Sequence, residues 1–282
     1  MMKSCRFLTE KPLFLGIALV GLIGGVTLIS SFLRAADTSI LCSLSKPTAD
    51  KGSATPIQLK AILHYATSHD VPQQSLGEIS VTYDVLRSLS PCNFLVFGLG
   101  LDSLMWASLN PGGTTLFLEE DPKWFETVTQ KAPYLKAHAV KYRTRLDEAD
   151  NLLRSYRSEP ECSPAKSYIK GNDRCKLALT GLPSEVYDKE WDLIMIDAPK
   201  GYFAAAPGRM AAIYSAAVMA RNRKRSGVTH VFLHDVDRRV EKAFAEEFLC
   251  RKNLVKGVGR LWHFELPCAA NVSRASAGSR FC

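Results

Sequence analysis

An α/β fold with a doubly wound, mostly parallel sheet is what this chain predicts, and two observations carry the prediction. From about residue 90 to residue 266, apolar runs of strand length alternate with stretches of helical length, the order that lays helices on both faces of a parallel sheet. The first run, Phe94-Leu-Val-Phe-Gly-Leu-Gly100, ends in the turn Gly98-Leu99-Gly100, and the second, about 20 residues later, ends in Glu119-Glu120-Asp121. A glycine turn between strand and helix, followed by a carboxylate at the end of the next strand, describes a nucleoside cofactor whose ribose lies across the strand ends.

The turn lacks one element of the dinucleotide fingerprint. Ser103 stands where a third glycine would pack the helix beneath a pyrophosphate. S-adenosylmethionine has a ribose but no phosphate and suits such a turn better, so the expected fold is S-adenosylmethionine-dependent methyltransferase-like, or Rossmann-like. Gly98, Gly100, Asp102, Glu119 and Glu120 are its candidate cofactor-binding residues. Asp121-Pro122 also reads as a helix cap followed by proline; Asp121 can cap while Glu119 or Glu120 takes the ribose hydroxyls.

The elements follow in order. Thr55-Pro56 starts a helix carrying Ile57, Leu59, Ile62 and Leu63, and Ser75 with Glu78 forms a capping box for a second helix ending near Leu89. After the acidic triplet come a helix over 122–131, a strand over His138–Tyr142 and a helix over 146–156. Trp191-Asp-Leu-Ile-Met-Ile-Asp197 is a buried strand by its continuous apolar run. A helix over 207–224, a strand over Thr229–His234, a helix over 237–249 and a last strand over Leu261–Leu266 complete the alternation. In such sheets ligands sit outside the carboxyl ends of the strands, where Gly98, Glu119, Asp197, His234 and Asp235 fall.

The N-terminal region has a different character. Leu13–Leu33 carries no charge and would span roughly 30 Å as a helix, the thickness of bilayer hydrocarbon. Lys3, Arg6 and Lys11 precede it and predict a cytoplasmic N-terminus with the remainder luminal. The alternative is a cleaved signal peptide, but the apolar stretch is long for one and Arg34 interrupts the small-residue pattern a cleavage site needs. The expected organisation is a cytoplasmic tail over 1–12, an N-terminal transmembrane helix over 13–33, a stem over 34–54, the catalytic domain over 55–267 and a disordered tail over 268–282. Of eight cysteines, seven would then meet an oxidising lumen; none has CxxC spacing, and Cys162 with Cys175, flanking a polar loop, is the best disulfide pair. Asn271-Val-Ser273 is a glycosylation sequon usable only there. The formal net charge of +8 suggests an acidic partner.

The stretches FGLGLDSLMWASLNPGGTTLFLEEDPKW, YRTRLDEADNLL, CKLALTGLP, WDLIMIDAPKGYFAAAPGRMAAIYSAAVMARNRK, VTHVFLHDVDRRVEKAFAEEFLC and GRLWHFELP resemble the plant glucuronoxylan 4-O-methyltransferases of the DUF579 family. The resemblance covers about residues 56–267. It implies a single-pass type II Golgi membrane enzyme, its catalytic domain luminal, that moves methyl from S-adenosylmethionine to O4 of glucuronic acid on glucuronoxylan in secondary-wall xylan biosynthesis. It also implies association with other xylan-synthesis proteins. Other branches of the family act on arabinogalactan glucuronic acid or influence xylan deposition. One departure is Leu101, where the family pattern carries a histidine.

Methyl transfer from a sulfonium is an in-line displacement, so positioning the acceptor oxygen lowers most of the barrier, and a base or a metal ion assists removal of its proton. Asp197, His234 and Asp235, ending two strands, are the catalytic candidates, and Asp197 with Asp235 could hold a divalent metal ion. An acidic polysaccharide acceptor needs cations: Lys200 and Arg209, with Arg143 behind them, are candidates to grip its carboxylate, and Tyr202 to stack on a sugar ring. A non-catalytic glycan-binding protein is the competing class. A nucleic-acid partner fits the charge but conflicts with the membrane segment and the sequon, so none is expected.

Overall fold

The computed structural model describes residues 54–166, 168–268 and 281–282. The anchor, most of the stem and the sequon lie outside the described residues, among which no helix is long and apolar enough to cross a membrane. Ala54–Cys282 form one compact unit.

Among the described residues, two helices precede the sheet. Helix α1 (Pro56–Thr67) starts where the Gln58 side chain accepts the Thr55 amide at 2.8 Å. Helix α2 (Leu76–Leu89) opens on the anticipated capping box, in which the Glu78 carboxylate accepts the Ser75 amide at 2.7 Å while the Ser75 hydroxyl accepts the Glu78 amide.

The strands are β1 (Asn93–Phe97), β2 (Thr114–Glu119), β3 (Lys136–Ala139), β4 (Leu193–Ile196), β5 (Val228–Leu233), β6 (Leu254–Val258) and β7 (Leu261–Pro267). They form one sheet in the order β3-β2-β1-β4-β5-β7-β6, in which the first five are parallel and β7 runs antiparallel to both neighbours. The connecting helices are α3 (Ser103–Ser108), α4 (Pro122–Lys131), α5 (Ala149–Ser155), α6 (Ser184–Asp188), α7 (Met210–Arg221) and α8 (Arg239–Phe244). Both faces of the sheet are covered, as the unbroken apolar runs require. Phe94, Val96, Phe117, Met195 and Phe232 pack with Val81 and Leu86 of α2, whereas Leu95, Phe97, Ile194, Ile196 and Leu233 pack with α7. Chain direction across the sheet reverses between β1 and β4, which opens a crevice at their carboxyl ends.

Several boundaries differ from expectation. The strand expected over His138–Tyr142 is Lys136–Ala139, and the helix expected over 207–224 is Met210–Arg221. The helix expected over 237–249 relaxes after Phe244 into a π turn. Strand β6 escaped the sequence reading because it is an edge strand whose middle three residues, Val255 to Gly257, are exposed, leaving no apolar alternation.

The Cys162–Cys175 disulfide is present, and a second joins Cys250 to Cys282. A closed loop of such length restricts the unfolded chain by about 3 kcal/mol. Of the segment 268–282 expected as a disordered tail, residues 269–280 lie outside the described residues, whereas Phe281 is buried against Tyr214 and Phe248, with ring centroids 5.6 and 5.1 Å away. Cys92 and Cys268 are free and buried.

Candidate active site

The crevice is a cleft of about 440 Å³ bounded by the Gly98–Asp102 turn, Glu119 to Asp121, Trp124, Asp197 to Lys200, Tyr202, Asp235 and Arg238. Its first wall is the glycine turn. Gly98 has φ 129°, and a Cβ there would stand 3.3 Å from Cβ of Ala198 at the end of β4; a side chain would be strained and would spread β1 from β4. Gly100 lies so close to Asp102 that a Cβ would meet its Oδ1 at 3.0 Å. Tyr65 of α1 donates to the Leu101 carbonyl at 2.7 Å, and Trp124 donates to the Leu99 carbonyl, so the turn is held from two sides. Leu101 itself is 38% exposed and lines the cleft.

The second wall is acidic. Glu119 accepts the Leu99 amide at 3.0 Å and the Asp121 amide at 2.9 Å, and Glu120 accepts the Lys200 amide at 2.9 Å. Each carboxylate keeps lone pairs for further donors. Burial and the neighbouring Glu120 push Glu119 up to about 7. Burial and then Asp197 push Asp102 up to about 6, against the indole of Trp106, which donates to its Oδ2 at 2.7 Å.

A pH effect follows for the cofactor-free protein. Glu119 binds its proton more tightly folded than unfolded, so its contribution to stability is complete below its ordinary 4.5 and is lost as pH rises through about 7. The melting temperature of Glu119→Gln should therefore fall less than that of the parent between pH 5 and pH 8. Parallel falls in thermal scans would contradict the assignment.

The floor is a charge cluster. Asp197 accepts from Nδ1 of His234 at 2.9 Å and from Arg209 at 3.2 Å on one oxygen, and from the Gln74 amide at 3.1 Å on the other. Burial opposes its charge, but His234 and Arg209 outweigh burial and hold Asp197 below the usual carboxylate range. His234 shifts the other way: burial lowers it, and Asp197 more than compensates. Asp235, in the left-handed region at φ 61°, is pinned by Arg209 at 2.7 Å, Arg238 at 3.0 Å and Arg260 at 2.7 Å. Such backbone strain persists where surrounding contacts over-determine it.

Several expected roles change. His234 is 2% exposed and lies behind Asp197 rather than on the cleft surface, so it positions the carboxylate and does not reach an acceptor. Arg209 is buried, with its guanidinium taken by two carboxylates and the carbonyls of Asp197 and His234; it organises the floor and has no hand free for a substrate. Arg143 is away from the cleft. It donates to the carbonyls of Asn172, Asp173, Cys175 and Ala178 and braces the disulfide loop. The residues proposed for a metal do not suit one: ligand atoms of Asp197, His234 and Asp235 lie within 4.8 Å of one another, yet three guanidinium groups already occupy Asp235 and repel a dication.

Lys200 and Tyr202 do line the cleft. Lys200 pairs with Asp121 at 2.6 Å and is half-exposed; Tyr202 is 67% exposed on the rim, edge-on to Phe203 at 5.2 Å. Sequence reasoning missed Gln74, Glu78, Arg238 and Arg260. Gln74 lies in the connection just before α2 and Glu78 in the first turn of α2, and both gain meaning only once this segment folds over β4 and β5. Arg238 had a signal in the run Asp235-Val-Asp-Arg-Arg239, three residues after the strand-end acid.

A parallel sheet with its cleft at the β1/β4 reversal, a glycine turn, an acid at the end of β2 and a second carboxylate on the cleft floor defines a class: nucleoside-cofactor enzymes of the methyltransferase type. The chain belongs to the IRX15/IRX15L/GXM family, whose model matches residues 77–264. It is 65% identical over 281 residues to Arabinogalactan O-methyltransferase 1 of Arabidopsis thaliana, covering 97% of each chain. It is 50% identical over 226 residues to Glucuronoxylan 4-O-methyltransferase 1 of the same plant, covering 79% of this chain and 78% of that one. Among solved structures, a methyltransferase-like protein from Silicibacter pomeroyi aligns with TM-score 0.40 and 17% identity, over 71% of this chain and 89% of that one. The protein is an O-methyltransferase, and its family implies S-adenosylmethionine as methyl donor.

Proposed function

We propose that this enzyme methylates O4 of glucuronic acid side chains on arabinogalactan, as a single-pass type II protein whose catalytic domain faces the Golgi lumen. The observation that carries the acceptor is the extent of likeness: the relative named for arabinogalactan matches at higher identity and over nearly the whole chain, the one named for glucuronoxylan at lower identity over about four-fifths of it. Glucuronoxylan is thereby the second reading. The apolar run Leu13–Leu33 behind Lys3, Arg6 and Lys11, and two disulfides, support the membrane orientation and an oxidising lumen.

The residues fit the cofactor. Glu119 and Glu120 present acceptors for ribose hydroxyls, and Gly98 to Asp102 with Trp124 line the adjoining surface. Bound there, S-adenosylmethionine supplies an electrophilic methyl on a sulfonium. With the donor held there, Asp197 would orient the acceptor hydroxyl toward the methyl and take its proton as the oxygen–carbon bond forms and the carbon–sulfur bond breaks, the sulfur leaving as a neutral thioether. His234 and Arg209 fix the Asp197 carboxylate, and Tyr202 offers a ring face to the sugar.

The acceptor carboxylate is held by Arg238 and Lys200, the cations that line the cleft with solvent-facing area. This assignment replaces Arg209 with Arg238. Loss of one partly exposed charge-assisted contact costs on the order of 1.4 kcal/mol, about tenfold. Arg238→Met should raise KM for the acidic acceptor by about that factor, leave cofactor affinity unchanged and scarcely affect a carboxyl-reduced acceptor. Equal losses on both acceptors would assign Arg238 to support of Asp235 instead.

A further inference from the structure

A second cluster of ligating side chains sits at the opposite end of β5. His230 on β5 stands directly across from Glu265 on β7, and Phe232 across from His263, so all four side chains lie on one face of the sheet. Nδ1 of His230 is 3.0 Å from Nε2 of His263 and 3.8 Å from a Glu265 oxygen, and the three ligand atoms fall within 4.8 Å of one another. Four residues of strand separate His230 from His234, roughly 13 Å, so the cluster is distinct from the cleft.

We propose that His230, His263 and Glu265 form a zinc site that ties β5 to β7. Two imidazole nitrogens and one carboxylate oxygen are a borderline-soft donor set of the kind zinc prefers, with water completing a tetrahedron. Bonds of about 2.0 Å place tetrahedral ligand atoms about 3.3 Å apart; the His–His pair, at 3.0 Å, has only to open slightly, and Glu265, 44% exposed, needs a rotamer adjustment. The ring of His263 is held flat against Phe232, with centroids 4.5 Å apart and planes 12° off parallel, so its direction is set before any ion arrives.

In the metal-free protein these two nitrogens are hydrogen-bonded at 3.0 Å, one ring donating to the other, and zinc takes both nitrogens once each neutral ring carries its proton on its other nitrogen. The neighbouring cations leave room. Arg223 is paired with Asp192 at 2.9 Å, and Lys256, opposite His263 on β6, is on an exposed edge from which its long side chain can turn away. Two neutral imidazoles and one carboxylate leave a net single positive charge at the bound ion.

The test is calorimetric titration of the chelator-treated full chain with zinc chloride, with thermal scans alongside. The site predicts one zinc ion per chain at micromolar Kd or tighter and a rise in melting temperature with zinc, since the ion binds the folded state. His230→Asn and Glu265→Gln should each weaken binding at least about tenfold, whereas Asp197→Asn should not change it. The exposed Glu265→Gln keeps the test valid should the histidine variant fold poorly. Absence of stoichiometric binding would overturn the proposal, as would binding lost in Asp197→Asn and retained in Glu265→Gln.

Discussion

Asp197→Asn should lower kcat for methyl transfer by about 10² to 10⁴, the range spanned by a positioned acid–base group, while S-adenosylmethionine still binds. Asp197 lines the cleft and ends the strand next to the glycine turn. Its carboxylate is fixed by three donors, from His234, Arg209 and Gln74. The asparagine variant keeps the shape, loses the charge and cannot take the acceptor proton. Its unfolding cost is limited because Arg209 retains Asp235 and two backbone carbonyls. Cofactor binding, read by calorimetry, serves as the check on folding. A variant that binds cofactor and keeps more than about a tenth of parental kcat would remove Asp197 from the chemistry. His234→Gln, acting only through Asp197, should cost less than Asp197→Asn.

The sequence disclosed the parts of the molecule that local pattern controls. Phe94–Gly100 and Thr115–Asp121 identify themselves because a buried parallel strand is a continuous apolar run, and because Gly98 at positive φ has no substitute. Asp197 and Asp235 were findable because each ends such a run. The errors share one cause. Arg143 and Arg209 look from the chain like free cations, yet an arginine has five donors and folding spends them on whatever carbonyls and carboxylates arrive from elsewhere. For Arg143 those come from residues 172–178, for Arg209 from β4 and β5. His234 carries the same lesson: strand-end position put it beside the cleft, but only the packing of α2 over the sheet, with Glu78 3.5 Å from its Nε2, shows that it faces inward. Such partners lie tens to more than a hundred residues away in sequence and leave no periodic trace.

The metal reading failed for the same reason. Asp197 and Asp235 have the spacing and residue types for an ion, whereas the arginines that neutralise them, Arg209, Arg238 and Arg260, are scattered through three segments. A guanidinium on a carboxylate takes the charge that would attract a dication.

The proposed reaction is transfer of methyl from S-adenosylmethionine to glucuronic acid on arabinogalactan. Its direct test is incubation of the full chain with methyl-labelled S-adenosylmethionine and, in parallel, arabinogalactan and glucuronoxylan acceptors of matched length, followed by location of the label. On the proposed reading both acceptors would present a uronate to Arg238 and Lys200, so discrimination would have to come from the sugars beyond it, through the Tyr202 and Phe203 rim. Specificity is a difference in transition-state affinity, and a hundredfold preference needs about 2.8 kcal/mol, within reach of two or three lost sugar contacts. Label is expected on O4 of glucuronic acid in arabinogalactan, with kcat/KM at least about a hundredfold above that for glucuronoxylan. Equal or greater labelling of glucuronoxylan, or label on a neutral sugar, would contradict it.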